Sequence, residues 1–144
     1  MSYEFTLREV IPATPQAIYD AWLDSNGHTG MTGGKAEASA NPGAGFIAWD
    51  GYISGRNLDL APGRHIVQSW RTTQFPEGHA DSKIVVTLTP VEGGTLLTLA
   101  HSDVPDGQTS YEQGGWQSHY FEPMKKYFAA FSGTPGPSAK ASGL

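Results

Sequence analysis

Cysteine is absent from this sequence. A chain without thiols forms no disulfide bonds, offers no cysteine nucleophile and holds no thiolate metal site, and this composition fits a reducing compartment. Long apolar runs are also missing, since no stretch approaches the roughly 18 apolar residues of a membrane-spanning helix. The first residues, MSYEFTLREVIPATP, alternate polar and apolar side chains and do not have the pattern of a secretory signal. We therefore expect a cytoplasmic protein with no membrane span.

Positive charge is scarce. The 144 residues include 9 lysines and arginines against 14 aspartates and glutamates, which gives a formal net charge of -5. Nucleic acids and anionic membrane surfaces are bound by clustered lysine and arginine side chains. We therefore expect neither of them as a partner. A chain of this length is expected to form one domain.

Motifs for metal and nucleotide binding are missing as well. The five histidines stand at no spacing that would put two metal ligands on one face of a helix or strand. They are His28, His65, His79, His101 and His119. The stretch GMTGGKA, residues 30–36, lacks the first glycine and the final serine or threonine of a phosphate-binding loop. The sequence predicts no metal and no cofactor.

What the sequence does contain is mostly strand pattern. Residues 3–11 alternate apolar and polar side chains, which predicts a half-buried strand. Thr14 and Pro15 then have the pattern of a helix start, and Asn26 and Gly27 indicate its end. From Lys35 onward, glycine-containing turns separate apolar runs, which predicts an antiparallel meander of about six more strands. These turns are Asp50-Gly51, Pro62-Gly63 and Glu92-Gly93-Gly94.

The last periodic segment, residues 109–131, has helical spacing. Thr109 and Glu112 have the spacing of a capping box, whereas Gly114 and Gly115 weaken the first turns. Pro123 lacks an amide hydrogen, so the helix should bend there. A helical projection gives an unusually wide apolar arc. Its members are Trp116, Tyr120, Met124, Tyr127 and Phe131, with Phe121 and Phe128 beside them.

The order of these elements predicts an α+β protein in which a curved antiparallel sheet wraps around a long C-terminal helix. A wide aromatic arc fits this arrangement because a curved sheet covers more of the helix than a single stripe. We expect a single domain over residues 1–131. Residues 132–144 are rich in proline, glycine and other small residues, and we expect them to be disordered.

Four stretches resemble a known family. They are TGGKAEAS, PGAGFIAWDGYISGRNLDLAPGRHIVQSWR, LTLAHSDVP and GWQSHYFEPMKKYF, and they occur in the family's order. On these strings the chain resembles the family named for homology to the activator of heat-shock protein 90 ATPase, within the START-like and polyketide cyclase (SRPBCC) superfamily. The resemblance covers residues 3–131 and implies a helix-grip fold. It also implies a chaperone as a possible partner, but no particular reaction.

The candidate ligand site lies under the closing helix, because a bent helix over a curved sheet leaves a cavity. The predicted ligand-binding residues are Trp70, His101, Trp116, Tyr120 and Met124. His101 shares a strand face with Leu97 and Leu99, so it should point inward. Two interpretations stay open for His101, a hydrogen-bonded residue at a strand end or a polar group that orients a ligand. Likewise Trp49, Trp70 and Trp116 are either core or pocket wall.

Three hypotheses for function follow. In the first, the domain binds an apolar or amphipathic small molecule between sheet and helix and no reaction is assigned. In the second, it is an interaction module whose partner is a chaperone. In the third, it is a cyclase or hydrolase that uses His101 or a loop aspartate such as Asp103 or Asp106. An enclosed space of roughly 300 Å³ or more favours the first hypothesis over the second.

Overall fold

In the computed structural model, which describes residues 2–132, six strands form one curved antiparallel sheet in the order β1-β6-β5-β4-β3-β2. The strands are β1 (Ser2–Ile11), β2 (Gly45–Ala48), β3 (Ile53–Ala61), β4 (His65–Thr72), β5 (Ser82–Val91) and β6 (Gly94–Pro105). The three predicted turns lie between consecutive strands from β2 to β6, and the turn at residues 49–51 is a short 3-10 segment. The α+β architecture with a C-terminal helix is confirmed.

The described residues contain one strand fewer than predicted. Residues 35–44 form no strand, and they meet the sheet through an isolated bridge between Glu37 and Ile47 and through backbone hydrogen bonds of Gly43 and Ala44 to Asn57. The alternation predicted for β1 and β6 is confirmed by the partial or complete burial of every second side chain. In β6 the side chains of Leu97, Leu99 and His101 are all buried on one face.

Two helices follow β1, where the sequence indicated one. The first, α1 (Pro15–Trp22), begins as predicted, with the Thr14 hydroxyl accepting a hydrogen bond from the Ala17 amide at 3.1 Å. The predicted stop at Asn26 and Gly27 is wrong, because both residues lie inside the second helix, α2 (Ser25–Thr32). The Asp24 carboxylate caps this helix by accepting from the Gly27 amide at 2.8 Å. A cap just before the Asn-Gly pair starts a new helix there instead of a loop.

The closing segment is helical from Tyr111 to Ser132, but the predicted single regular helix is corrected. Two wide turns, Tyr111–Gly115 and Gln117–Phe121, precede the regular helix α3 (Glu122–Ser132). In the second of them the Glu122 amide bonds to the Gln117 carbonyl five residues earlier. The distortion of the helix that Pro123 predicted is therefore a change in the pattern of backbone hydrogen bonds, and it lies just before Pro123.

The glycine pair at the start of this segment has a structural reason. Gly114 has a φ of 120°, a conformation that other residues adopt only with strain. A Cβ atom on Gly115 would lie 2.8 Å from the Ser110 carbonyl oxygen. The predicted capping box is absent: no side chain caps this segment, and Glu112 instead accepts a hydrogen bond from the Tyr3 hydroxyl at 2.9 Å.

The predicted apolar arc packs into the core. Its buried members are Trp116, Tyr120, Phe121, Met124 and Phe128. The side chain of Phe131, and the predicted tail apart from Ser132, lie outside the described residues. Within residues 2–132 no helix is both long enough and apolar enough to cross a membrane.

Candidate functional site

A pocket of about 360 Å³ lies between the sheet and the closing helical segment. Strands β3 and β4 contribute Ile53 and Trp70, the second wide turn contributes Tyr120, and Trp116 lies between the two wide turns. Six aromatic side chains line it, and they are Trp49, Tyr52, Trp70, Tyr111, Trp116 and Tyr120. Its polar side chains are Ser110, Gln113, Ser118 and His119. The volume lies within the range of small-molecule sites, roughly 300 to 1,000 Å³.

The aromatic walls hold one another in place. The ring centroids of Trp70 and Trp116 are 5.4 Å apart, and those of Trp116 and Tyr120 are 4.9 Å apart. The Trp70 ring also meets Tyr111 edge to face, at 5.2 Å and 85°. Aromatic pairs at these separations attract beyond the area they bury. The pocket is therefore preformed by mutually packed rings.

His101 lies behind this wall and is not among the residues that line the pocket. Ser82 donates its hydroxyl hydrogen to the Trp70 carbonyl at 2.6 Å, so its oxygen accepts from His101 Nε2 at 2.8 Å. His101 Nδ1 in turn accepts from the indole nitrogen of Trp116 at 3.3 Å. Both ring nitrogens are occupied, and burial lowers the pKa of His101 to about 3. The structure therefore describes a neutral histidine that orients Trp116.

Three of the five predicted site residues come together at the pocket, namely Trp70, Trp116 and Tyr120. Met124 does not join them, since it is fully buried and does not line the pocket. As described above, His101 supports the wall from behind.

Tyr120 carries a polar contact that the sequence analysis missed. His28 Nδ1 donates to the Trp22 carbonyl at 2.9 Å, so Nε2 accepts from the Tyr120 hydroxyl at 2.7 Å. Burial lowers the pKa of His28 and raises that of Tyr120, so both groups are neutral at pH 7. The two residues are 92 positions apart. No local pattern links them, because the contact depends on how α2 packs against the closing segment.

Other lining residues were also missed. Tyr52 and Tyr111 had no predicted role, and Trp49 was considered without being assigned to the site. The many aromatic residues around the β2–β3 turn could have indicated that Trp49 and Tyr52 line the site. For Trp49 the direction of the side chain depends on its φ of 51°, which an alternation pattern does not predict.

A second cleft, of about 620 Å³, is larger but is a weaker candidate. It lies between α1, α2 and residues 38–40, and its walls include the carboxylates of Asp20 and Asp24. These aspartates already have local roles, since Asp20 accepts from Gln16 and Asp24 caps α2. In the described part of the chain, no group of three histidine, cysteine, aspartate or glutamate residues could hold a metal ion.

Comparison with curated proteins gives relatives that include activators of the 90 kDa heat shock protein ATPase. The human protein named activator of 90 kDa heat shock protein ATPase homolog 1 is 32% identical over 125 residues, which are 87% of this chain and 37% of the human protein. The chain thus spans little more than a third of the curated relatives it matches.

Solved structures agree on the fold. The crystal structure of an Hsp90 activator from Plasmodium falciparum superposes with a TM-score of 0.77 at 22% identity, and the match covers 86% of this chain and 94% of that one. The solution structure of the Aha1 dimer from Colwellia psychrerythraea gives 0.73 at 17% identity, covering 89% and 98%. The family described as activator of Hsp90 ATPase homolog 1-like protein matches residues 12–129. The helix-grip fold is confirmed, and the chain belongs to the activator of Hsp90 ATPase homolog 1-like family.

Proposed function

We propose that this domain binds an apolar or amphipathic small molecule in the pocket between the sheet and the closing helical segment. The observation that carries the proposal is the preformed aromatic pocket of about 360 Å³. A domain that only served as an interaction surface could fill this space with side chains, whereas ligand sites need roughly 300 Å³ or more. The pocket is partly open to solvent, so its aromatic lining supports ligand binding more than its volume does.

In this proposal Trp70, Trp116 and Tyr120 contact the ligand. His101 acts through Trp116, whose indole it holds, and Met124 belongs to the core that fixes the helix against the sheet. We assign no reaction. His101 has no free ring nitrogen, and the hydroxyl of Tyr120 already donates to His28.

Filling the pocket mouth should abolish binding of an apolar dye. Ser118 lines the pocket and is exposed, so Ser118→Trp adds a large ring at the mouth without entering the core. We expect Nile red to bind the unaltered protein with increased dye emission, and Ser118→Trp to weaken that binding at least about tenfold. Lys126→Trp, on an exposed position of α3, is the matched control and should bind as the unaltered protein does. Equal Nile red binding by both variants would refute the proposal, as would the failure of every apolar or amphipathic probe to bind.

A second candidate function is interaction with an Hsp90-type chaperone. It is supported by the match to proteins named as activators of that ATPase, at 32% identity for the human one. The chain matches only 37% of that relative, so activation by this domain alone is the point to test. Adding the chain to the Hsp90 of its own host should raise the rate of ATP hydrolysis, and an unchanged rate without complex formation would exclude this function. As part of this second candidate function, we propose a cytoplasmic location for the protein.

A further inference from the structure

We propose that the pocket takes an uncharged, planar aromatic molecule, and that Trp49 is one of the walls that contact it. This inference rests on the proposed function, because it names the ligand class of the same pocket. It separates that class from fatty acids and other charged amphiphiles, which the broader proposal still includes.

The charge of the pocket walls limits the class of ligand. Among the described residues that line the pocket there is no aspartate, glutamate, lysine or arginine. The histidine at its edge, His119, donates from Nδ1 to the Gly115 carbonyl at 3.1 Å. A carboxylate or sulfonate inside this pocket would lose its water without gaining an opposite charge, which is strongly unfavourable. A fatty acid held with its carboxylate inside the pocket would need a lysine or arginine that these walls do not offer.

The shape of the pocket walls favours flat ligands. Six of the pocket's side chains are aromatic, and their rings present flat apolar faces and edges. Flat rings attract other flat rings through offset stacking and edge-to-face contacts, which a flexible acyl chain does not reproduce. The volume of about 360 Å³ is near the lower end of small-molecule sites, which suits a compact ring system.

Trp49 lies in the β2–β3 turn under two unfavourable conditions. Its φ of 51° lies in the left-handed region, which a bulky side chain rarely adopts. Its indole nitrogen is buried and has no hydrogen-bond partner among the described residues. Trp49 is only half-buried, so its packing contributes less to the stability of the fold than that of a fully buried tryptophan does. Strained residues of this kind cluster at ligand sites.

The neighbours of Trp49 hold its ring in place. A Cβ atom at Gly34 would overlap the six-membered part of the indole, so the glycine makes room for it. On another side His119 meets the ring edge to face, with centroids 5.2 Å apart and an interplanar angle of 87°. The indole is thus fixed beside the pocket between Gly34 and His119, as a wall for a stacked ligand would be.

Three fluorescent probes separate charge from shape. Nile red is uncharged and planar, 1-anilinonaphthalene-8-sulfonate is aromatic but anionic, and the methyl ester of cis-parinaric acid is an uncharged acyl chain. Only binding that Ser118→Trp abolishes is counted as binding in the pocket. We expect Nile red to bind at least about tenfold more tightly than either other probe. If another probe binds in the pocket equally well, this inference is wrong and the proposed function stands. If none of the three binds there, both fail.

Two variants test Trp49. Trp49→Asn removes the ring and places a residue that tolerates the left-handed conformation. Gly34→Ala keeps the ring but forces it to move. Each should weaken Nile red binding about fivefold or more, the loss expected for one aromatic contact. The matched controls are Leu58→Asn at an exposed strand position and Gly45→Ala, whose Cβ would meet nothing closer than 3.6 Å.

The far-ultraviolet spectrum and the melting temperature show whether each variant is folded. Unchanged Nile red affinity in folded Trp49→Asn and Gly34→Ala would overturn the role of Trp49. Weakened binding in these two variants, with both controls unaffected, supports it. Because the two variants act on the same wall by different means, a folding failure in one leaves the other to decide.

Discussion

Lowering the pH from 7 to 4 should remove about 3 kcal/mol of the free energy of unfolding through His101 alone. Burial in the fold lowers the pKa of His101 to about 3, from an ordinary value of 6.5. Between these two values the unfolded chain binds a proton that the folded protein does not. The contribution is therefore fully present above about pH 6.5 and is lost as the pH falls towards 3. His28, whose pKa is also lowered by burial, acts in the same direction.

Urea unfolding at pH 7 and pH 4 measures this effect. In His101→Phe the difference between the two pH values should shrink by about 3 kcal/mol, because the residue that takes up the proton on unfolding is gone. Leu99→Ala is the control, since it removes a buried side chain from the same strand but keeps His101. It should lower stability at both pH values and leave the difference intact. The same pH dependence in His101→Phe as in the unaltered protein would show that His101 is not buried as a neutral group.

Replacing Trp116 by alanine should lower the free energy of unfolding by about 3 to 5 kcal/mol and weaken Nile red binding. Trp116 is 2% exposed and packs against Trp22, Trp70 and Tyr120 as well as lining the pocket. Its removal leaves a cavity that the neighbouring rings cannot fill completely. Urea unfolding and dye titration measure the two effects separately.

Trp116→Phe is the matched variant. It keeps an aromatic wall but leaves Nδ1 of the buried His101 without its hydrogen-bond donor. An unpaired buried acceptor costs about 1 to 3 kcal/mol, so stability should fall by less than in Trp116→Ala and dye binding should be retained in part. A loss below about 1 kcal/mol in the alanine variant would contradict the packing described for Trp116.

The parts of the fold that depend on local pattern could be predicted from the sequence. Alternation placed β1 and the inward face of β6, and the turn pair Asp50-Gly51 separated β2 from β3. The stop predicted at Asn26 and Gly27 was wrong because the Asp24 cap starts α2 at that point. The Asn-Gly pair favours a loop at this point, whereas the Asp24 side chain favours a helix start. The hydrogen bond from the Gly27 amide to the Asp24 carboxylate favours the helix.

The candidate site was predicted only in part. Helical spacing put Trp116 and Tyr120 on one side, and both line the pocket. The same spacing included Met124, but two wide turns precede α3 and change which residues face the opening. The contact between Tyr120 and His28 joins distant segments, so it follows from packing and not from any local pattern.

Indole resonances in a nitrogen-proton correlation spectrum test the central claim most directly, because the chain has four tryptophans. Trp49, Trp70 and Trp116 line the pocket, whereas Trp22 does not and donates its indole hydrogen to Gln68 at 3.1 Å. Titration with Nile red should shift the resonances of the three pocket tryptophans in a saturable way and that of Trp22 least. Unchanged resonances at saturating dye, or the largest shift at Trp22, would contradict a ligand site in this pocket.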